Sequence, residues 1–334
     1  MTGTSQVLLG IAIIVAMLAA PAFLTDHQIH ILIQILFFAY VSSCWNILGG
    51  FTGQLSFGHA LFLAVGAYTS TLLLLNFGIS PWFGMLAGGV LAAALGLFIG
   101  YLSFRYGIKG TYFVLVTLAF TEIARIIALN TSAIGGASGF YIPIHANDLW
   151  QLKFVNKAHY YFVIFGLLLL VLAITAWLER SRTGHRLIAI RENEDAAQAL
   201  GINLLRYKLF ATVLSAFLTA LGGTFYAHYV TFIDPSTLLN MNMALEITIY
   251  SIVGGIGTLF GPLLGAAVLV PIAEAVRATL GHNYAGVHLV VYGALLMVIV
   301  RFAPDGLIGV IRWLRERWPN PHLVSAPGTG EAKP

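Results

Sequence analysis

The sequence predicts an all-α, polytopic transmembrane helical bundle, on the evidence of its composition and of the length of its apolar runs. Charged residues make up only 9% of the 334 positions, hydrophobic residues make up 59%, and the mean hydropathy is +0.87. Continuous apolar runs of about 17 to 25 residues recur along the chain, which is the length that a helix needs to cross the hydrocarbon layer. Outer-membrane barrels show shorter segments of alternating polarity, so a helical bundle is the predicted fold class.

The apolar runs predict about ten spans, with a break in the middle of the run from 244 to 280. Residues 1–5 contain no Lys or Arg, so the first run is interpreted as a retained span; a signal peptide ending near Ala20 and Ala22 is the alternative. The break is predicted because glycine and proline interrupt helices, and the region contains Gly254, Gly255, Gly257, Gly261 and Pro262. The runs are 7–24, 29–48, 58–75, 81–104, 111–129, 159–178, 209–229, 244–260, 263–280 and 287–303.

Basic residues predict the orientation of the bundle. With the spans drawn as above, the basic residues of the loops at 105–110 and 179–208 fall on the same side as those of the C-terminal tail. The opposite side carries only Lys153 and Lys157 outside the spans. Because positive loops stay in the cytoplasm, both termini are expected there, in the inner membrane of a bacterium.

The predicted domain organisation is one transmembrane domain over residues 1–318, followed by a disordered cytoplasmic tail over 319–334. The single Cys44 can form no internal disulfide, and no Cys and His spacing suggests a bound metal. The net charge of +4 comes mainly from loops beside spans, which indicates contact with membrane lipid and not with nucleic acid.

A short charged helix is predicted within the loop RENEDAAQALGINLLRYK, residues 191–208. Asn193 suits an N-cap, Glu194 and Asp195 suit the first turn, and Gly201 suits a left-handed stop. Ala196, Ala197 and Leu200 are expected to form a compact apolar face that inserts into a groove on a partner. The alternative is a solvated helix that packs on its own bundle.

The stretch GGFTGQLSFGHA predicts a polar interruption between two spans. Its glycines, Gly49, Gly50, Gly53 and Gly58, are expected to break the helix. Non-helical backbone at membrane depth is tolerated only where it is buried in protein or lines a cavity, so a border of the translocation path is predicted. An interfacial turn with local hydrogen bonds is the alternative. The candidate path residues are Thr52, Gln54, Ser56, His59 and, further along the chain, Glu246.

Two Glu-x-x-Arg pairs lie inside predicted spans, Glu122 with Arg125 and Glu274 with Arg277. A spacing of three puts both charges on one helical face, where they neutralise each other at a depth at which a lone charge costs several kcal/mol. A structural ion pair is the first interpretation. The second is contact with the charged ends of an amino acid or with a docked binding protein, and Glu246 belongs with this group.

The run RENEDAAQALGIN resembles the coupling segment of permeases in ATP-binding cassette importers, and most closely that of the LivM-type branched-chain amino acid permeases. Four further stretches, spread over most of the chain, resemble stretches of that family and occur in the same order. The supporting stretches are GGFTGQLSFGHALFLAVGAYTS at 49–70, GIKGTYFVLVTLAFTEIARI at 107–126, SIVGGIGTLFGPLLGA at 251–266 and FAPDGLIG at 302–309.

The resemblance implies a transport subunit without catalytic residues. Such a subunit works with a second homologous permease, two cytoplasmic ATPases and a periplasmic substrate-binding protein, and the partner subunits use the ATP. It binds no cofactor itself, and no GxxxxGK[ST] phosphate loop occurs in this sequence. The positions that match the coupling motif are Arg191, Glu192, Asn193, Ala196, Ala197, Leu200 and Gly201.

Three alternatives stay open at this stage. Permeases of the same family accept other small solutes such as amides or urea. An ion-coupled secondary transporter would need buried carboxylates without basic partners, and here only Glu246 approaches that condition. A channel would need a repeated pore motif or a ring of charges, and neither is visible in the sequence.

Overall fold

A computed structural model describes residues 17–18, 20–142 and 148–280, and beyond them residues 290, 293–294, 297, 301 and 306–310. The fold is built almost entirely of helices. They are α1 (Asp26–Thr52), α2 (His59–Phe77), α3 (Pro81–Arg105), α4 (Thr111–Asn130), α5 (Lys157–Arg180), α6 (Arg182–Glu192), α7 (Glu194–Ala199), α8 (Leu204–Val230), α9 (Pro235–Leu238), α10 (Met241–Gly255) and α11 (Gly261–Leu280).

Short 3-10 helices and two very short strands connect these helices. The 3-10 helices cover Ala20–Ala22, Ser132–Ile134 and Gly136–Ser138. Strand β1 (Phe140–Tyr141) pairs antiparallel with β2 (Phe232–Ile233), so the chain that leaves α4 is held against the end of α8.

The predicted all-α, polytopic membrane class is confirmed, because six of the described helices are long and apolar enough to cross a membrane: α1 to α5 and α8. The predicted run at 244–260 is shorter than a span, because α10 has only 15 residues and therefore rises about 22 Å. Helix α11 corresponds to the predicted run at 263–280. Most of the runs at 7–24 and 287–303 and all of the tail at 319–334 lie outside the described residues.

Glycines end helices at two of the predicted breaks, but not at every glycine that was expected to do so. Gly49 and Gly50 lie inside α1, which continues to Thr52. The chain leaves the helix at Gly53, whose φ of +70° is readily adopted only by glycine. The prediction that Gly49 and Gly50 break the helix is therefore wrong. The predicted break between 254 and 261 is confirmed, since α10 ends at Gly255 and α11 begins at Gly261.

The centre of the bundle is a close packing of α2, α3 and α8. At Gly66 in α2, an added Cβ would lie 2.0 Å from the carbonyl oxygen of Ala220 in α8. At Gly223 in α8, an added Cβ would lie 1.9 Å from the carbonyl oxygen of Leu63. Small residues allow this approach of helix backbones in a membrane, where packing and not the hydrophobic effect drives helix association.

We predict that Gly223→Ala destabilises the bundle by pushing α2 and α8 apart. Overpacking costs about 1–3 kcal/mol, so the unfolding temperature in detergent should fall by roughly 2 to 10 °C. The matched control is Gly166→Ala in α5, where an added Cβ meets nothing within 4 Å. The control should be as stable as the parent or slightly more stable, because alanine favours helix more than glycine does. Equal unfolding temperatures for the two variants would contradict the close contact.

Candidate functional site

The chain between α5 and α8 folds into two short helices whose ends are fixed by side-chain caps. Ser181 begins α6, and its side chain accepts a hydrogen bond from the Gly184 N–H at 3.0 Å. Asn193 ends α6 and begins α7, where its Oδ1 accepts from the Ala196 N–H at 3.0 Å. Gly201, with φ +82°, lets the chain turn after α7. The predicted short helix with its Asn193 cap and its Gly201 stop is confirmed, whereas α6 was not foreseen.

Ala196 and Ala197 of α7 and Leu200, which follows its last residue, do not form one face. Ala197 is buried against the bundle, whereas Ala196 is exposed and Leu200 is 81% exposed. Ala196 and Leu200 are four residues apart and share a helical face, whereas Ala197 is turned from Ala196 by about 100° around the helix axis. The expectation of a common face is therefore wrong: Ala197 docks the helix, and Leu200 points away from the chain.

Arg191 joins the end of α6 to the end of α1. Its Nη1 donates to the carbonyl oxygen of Gly50 at 3.0 Å, and its Nη2 lies 2.7 Å from the Glu192 carboxylate. A Cβ at Gly53 would lie 3.1 Å from Arg191 Cγ, and a Cβ at Gly257 would lie 2.3 Å from its Nη1. The guanidinium group therefore lies in a space that these glycines keep open, next to both helix breaks.

Glu194 connects α7 to two further elements. Its Oε1 accepts a hydrogen bond from Gln54 Nε2 at 3.0 Å and forms an ion pair with Lys208 Nζ at 2.6 Å. The side chains of Lys208 and Glu194 are only 5% and 20% exposed, and Lys208 also lies over the Phe104 ring. Buried, charge-assisted bonds are the stronger kind. Glu194 therefore ties α7 to the break after α1 and to the first turns of α8.

The second helix break is held by α1 as well. Asn46 Nδ2 donates to the carbonyl oxygen of Thr258 at 2.9 Å, and Asn46 Oδ1 accepts from the Gly257 N–H at 2.8 Å. A Cβ at Gly50 would lie 2.6 Å from the Gly257 nitrogen. The segment between α10 and α11 is thus in direct contact with the last turns of α1, where Arg191 also binds.

The other predicted path residues of the first break are buried and hydrogen-bonded within the protein. Thr52 donates to the Leu48 carbonyl oxygen at 2.6 Å, and Ser56 Oγ accepts from the Gly58 N–H at 3.1 Å. His59 Nε2 lies 2.6 Å from Ser215 Oγ, between α2 and α8. Gln54 is the member of this group that contacts the α6–α7 segment. A role of these residues in translocation stays a prediction.

The first of the two predicted ion pairs is present in α4. Arg125 Nε donates to Glu122 Oε2 at 2.9 Å, and Arg125 Nη2 lies 2.5 Å from Glu122 Oε1. The two side chains are 31% and 50% exposed, so the pair lies on an outer face of the bundle. Glu274 is part of α11, but the side chain of Arg277 lies outside the described residues, and their pairing stays a prediction.

Glu246 lies far from the α6–α7 segment, in the wall of a cavity of about 400 Å³ between α1, α8, α9 and α10. We call it the α1–α8–α10 cavity. His30 and Gln34, near the start of α1, also line it. His30 and Gly50 are twenty residues apart along α1, so the cavity and the Arg191 contact are separated by about 30 Å. Among the described residues, no cluster of His, Cys, Asp and Glu side chains could hold a metal ion.

Sequence reasoning missed two residues that organise the α6–α7 segment. Lys208 was noted only as a basic loop residue, but its burial next to Glu194 makes it part of the anchor. Asn46 was not noted at all, because a single polar residue in an apolar run has no spacing that identifies a distant partner. Its only signal was its polarity within the last turns of a span, three residues before the stretch GGFTGQLSFGHA begins.

Six apolar helices of spanning length and the anchored α6–α7 segment define a class, the polytopic helical membrane proteins. The comparison with protein families makes this specific. Residues 28–300 match the family described as the branched-chain amino acid transport system / permease component, and the chain belongs to that family. It is therefore a transport component of the ATP-binding cassette type and not an enzyme.

Several relatives show the same family. The LivM permease protein of the high-affinity branched-chain amino acid transport system of Escherichia coli is 28% identical over 92% of this chain and 76% of its own length. The LivH permease protein of the same organism is 25% identical over 81% of this chain and 91% of its own length. Among solved structures, PsaBC from Streptococcus pneumoniae in complex with Fab is 15% identical to this chain, and the match covers 91% of this chain and 99% of that one. Its TM-score of 0.47 is too low to define a common fold.

We predict that Glu194→Gln loosens α7 from the bundle, because the buried ammonium group of Lys208 loses its charged partner. Amide hydrogen exchange over residues 194–201 should accelerate at least about tenfold, which corresponds to 1.4 kcal/mol. Asp195→Asn is the matched control, since it removes the same charge from the same first turn at an exposed position. Equal acceleration in both variants would mean that the helix dipole, and not the Lys208 contact, holds the helix.

Proposed function

We propose that this chain is the transmembrane permease subunit of an ATP-binding cassette importer that moves branched-chain or similar amino acids into the cell. Membership of the permease family supports the transport role. The amino acid substrate is proposed from the relatives, several of which are branched-chain amino acid permease proteins. Delivery of the substrate by a periplasmic binding protein is part of the same proposal.

The observation that carries the proposal is the α6–α7 segment. It is fixed to the bundle by Arg191 and Glu194, and it presents an exposed Leu200. A short helix that is anchored at its base and apolar at its tip is suited to enter a groove on another protein and to pass on its motion. The sequence has no phosphate loop, so the ATP is hydrolysed by two separate ATPase subunits that bind at this tip.

The proposed location is the inner membrane of a bacterium, with the α6–α7 segment and both termini in the cytoplasm. The distribution of basic residues supports this orientation, since Arg180, Arg182, Arg186, Arg191 and Arg206 all lie in or beside the segment. ATP is available on that side of the membrane. The α1–α8–α10 cavity would then face the outer side, from which the binding protein delivers the substrate.

A second, homologous permease is proposed to cover the outer face of α4. This helix is the least buried of the six candidate spans, and its exposed face carries the Glu122–Arg125 pair. Charged groups inside a membrane almost always face protein or water and not lipid. The similarity of the chain to both LivM and LivH of one organism also supports a pairing of two related permeases.

We predict that Leu200→Arg prevents the ATPase subunits from binding. The few residues that dominate an interface each contribute about 2 kcal/mol or more, and Leu200 is proposed to be one of them, so the amount of ATPase that co-purifies should fall at least about tenfold. The measurement is co-purification of the ATPases with the tagged permease from membranes, at matched permease levels.

Leu149→Arg is the control for this measurement. Leu149 is 70% exposed, and it lies before α5 in the loop that is proposed to face the outer side. The control should recruit ATPase like the parent. Undiminished recruitment by Leu200→Arg would contradict the proposed coupling role, and loss of recruitment in the control would contradict the proposed orientation.

A further inference from the structure

The α1–α8–α10 cavity is lined by apolar side chains, which we call its apolar wall, and by polar side chains, which we call its polar wall. The apolar wall is formed by Ile33 and Phe37 of α1, Phe225 of α8 and Met243 of α10. The rings of Phe37 and Phe225 are stacked with their centroids 6.3 Å apart, and both side chains are buried in the bundle. This wall offers a preformed contact for a branched or aromatic side chain of a small ligand.

The polar wall carries a carboxylate and several hydrogen-bond donors. Glu246 of α10 is 7% exposed and lines the cavity one helical turn after Asn242. Asn240 also lines the cavity, and its Oδ1 caps α10 by accepting from the Asn242 N–H at 3.0 Å. The carboxamide groups of these two asparagines add N–H donors to the same cavity lining as the Glu246 carboxylate.

A hydrogen-bonded chain between α1 and α8, whose residues also line the cavity, ends in a further donor. Gln34 Nε2 lies 3.1 Å from His30 Nε2, and His30 Nδ1 contacts the Tyr229 hydroxyl. An amide nitrogen can only donate, so His30 accepts at Nε2 and donates from Nδ1 to the Tyr229 oxygen. The hydroxyl proton of Tyr229 is therefore directed to another acceptor, in a residue that lines the cavity.

We propose that the α1–α8–α10 cavity binds a zwitterionic amino acid with an apolar side chain, as a site within the permease that is separate from the binding protein. The Glu246 carboxylate pairs with the ligand ammonium group. Asn240, Asn242 and the Tyr229 hydroxyl donate to the ligand carboxylate, and the ligand side chain packs on Phe37 and Phe225. This assignment rests on the proposed function, and it adds to it a selection step inside the membrane subunit.

The volume and the chemistry of the cavity fit an apolar amino acid. A cavity of about 400 Å³ is within the range of small-molecule sites. A simple cation would leave the apolar wall without a contact. An apolar amino acid satisfies the carboxylate, the donors and the apolar wall together.

The test uses the complete importer, with both permeases and both ATPases, in lipid nanodiscs without the binding protein. Binding of L-leucine is compared with binding of 4-methylpentanoate, which is leucine without its amino group. The parent should bind leucine and discriminate against 4-methylpentanoate. Glu246→Gln should weaken leucine binding at least about tenfold and remove the discrimination, whereas Glu179→Gln, at an exposed position near the end of α5, should change neither.

A second pair of variants keeps the test decisive if Glu246→Gln fails to fold. Ser236 is exposed at the edge of the cavity, so Ser236→Trp should obstruct it without disturbing the core, and Ser236→Ala should bind leucine like the parent. Leucine binding that is unchanged in both Glu246→Gln and Ser236→Trp would overturn the inference.

ATP-dependent leucine uptake in proteoliposomes, with the binding protein present, separates this inference from the proposed function. Uptake by the parent that is retained in full by Glu246→Gln and Ser236→Trp would leave the importer function intact and overturn the cavity site. If the parent transported no amino acid at all, the proposed function would be wrong, and the cavity assignment would fail with it.

Discussion

The anchoring of the α6–α7 segment on the end of α1 is the constraint on which the proposed mechanism depends. Glu194 accepts from Gln54 and pairs with Lys208, and Arg191 binds the carbonyl oxygen of Gly50. Isolated helices as short as α7 are not stable in water, so these contacts and the burial of Ala197 hold it in place. Because the Glu194–Lys208 pair is largely buried and the contacts of both Glu194 and Arg191 are charge-assisted, we propose that a force applied at Leu200 is passed to the bundle.

The anchor acts on two irregular segments of the bundle together. Arg191 lies beside Gly50, Gly53 and Gly257, and Asn46 holds the chain between α10 and α11. Helix breaks are where a helical bundle can bend with little loss of hydrogen bonding. Helix α1 then links these breaks to the α1–α8–α10 cavity, about 30 Å away. A movement of the α6–α7 segment can thus alter the cavity through one continuous helix.

Local chemistry made most of the fold predictable, but it did not reveal the contacts between distant residues. Apolar runs predicted the long apolar helices between 26 and 280, and Asn193 and Gly201 predicted the limits of α7, because capping depends on neighbouring residues. The expectation at Gly49 and Gly50 failed because close packing against Trp45, Asn46 and Gly257 can require glycine as much as a turn can. The partners of Glu194 are 140 and 14 residues away, and no local pattern identifies them.

The most direct test measures uptake and ATP hydrolysis in the same vesicles for Arg191→Gln, with Arg180→Gln at an exposed position as the control. Arg191→Gln keeps Leu200 but removes the charge-assisted bond to Gly50, a bond of about 1.5–3 kcal/mol. We expect ATP hydrolysis to continue while the amount of amino acid imported per ATP falls about tenfold, with no change in the control. An unchanged ratio of uptake to hydrolysis in Arg191→Gln would contradict transmission of force through this anchor.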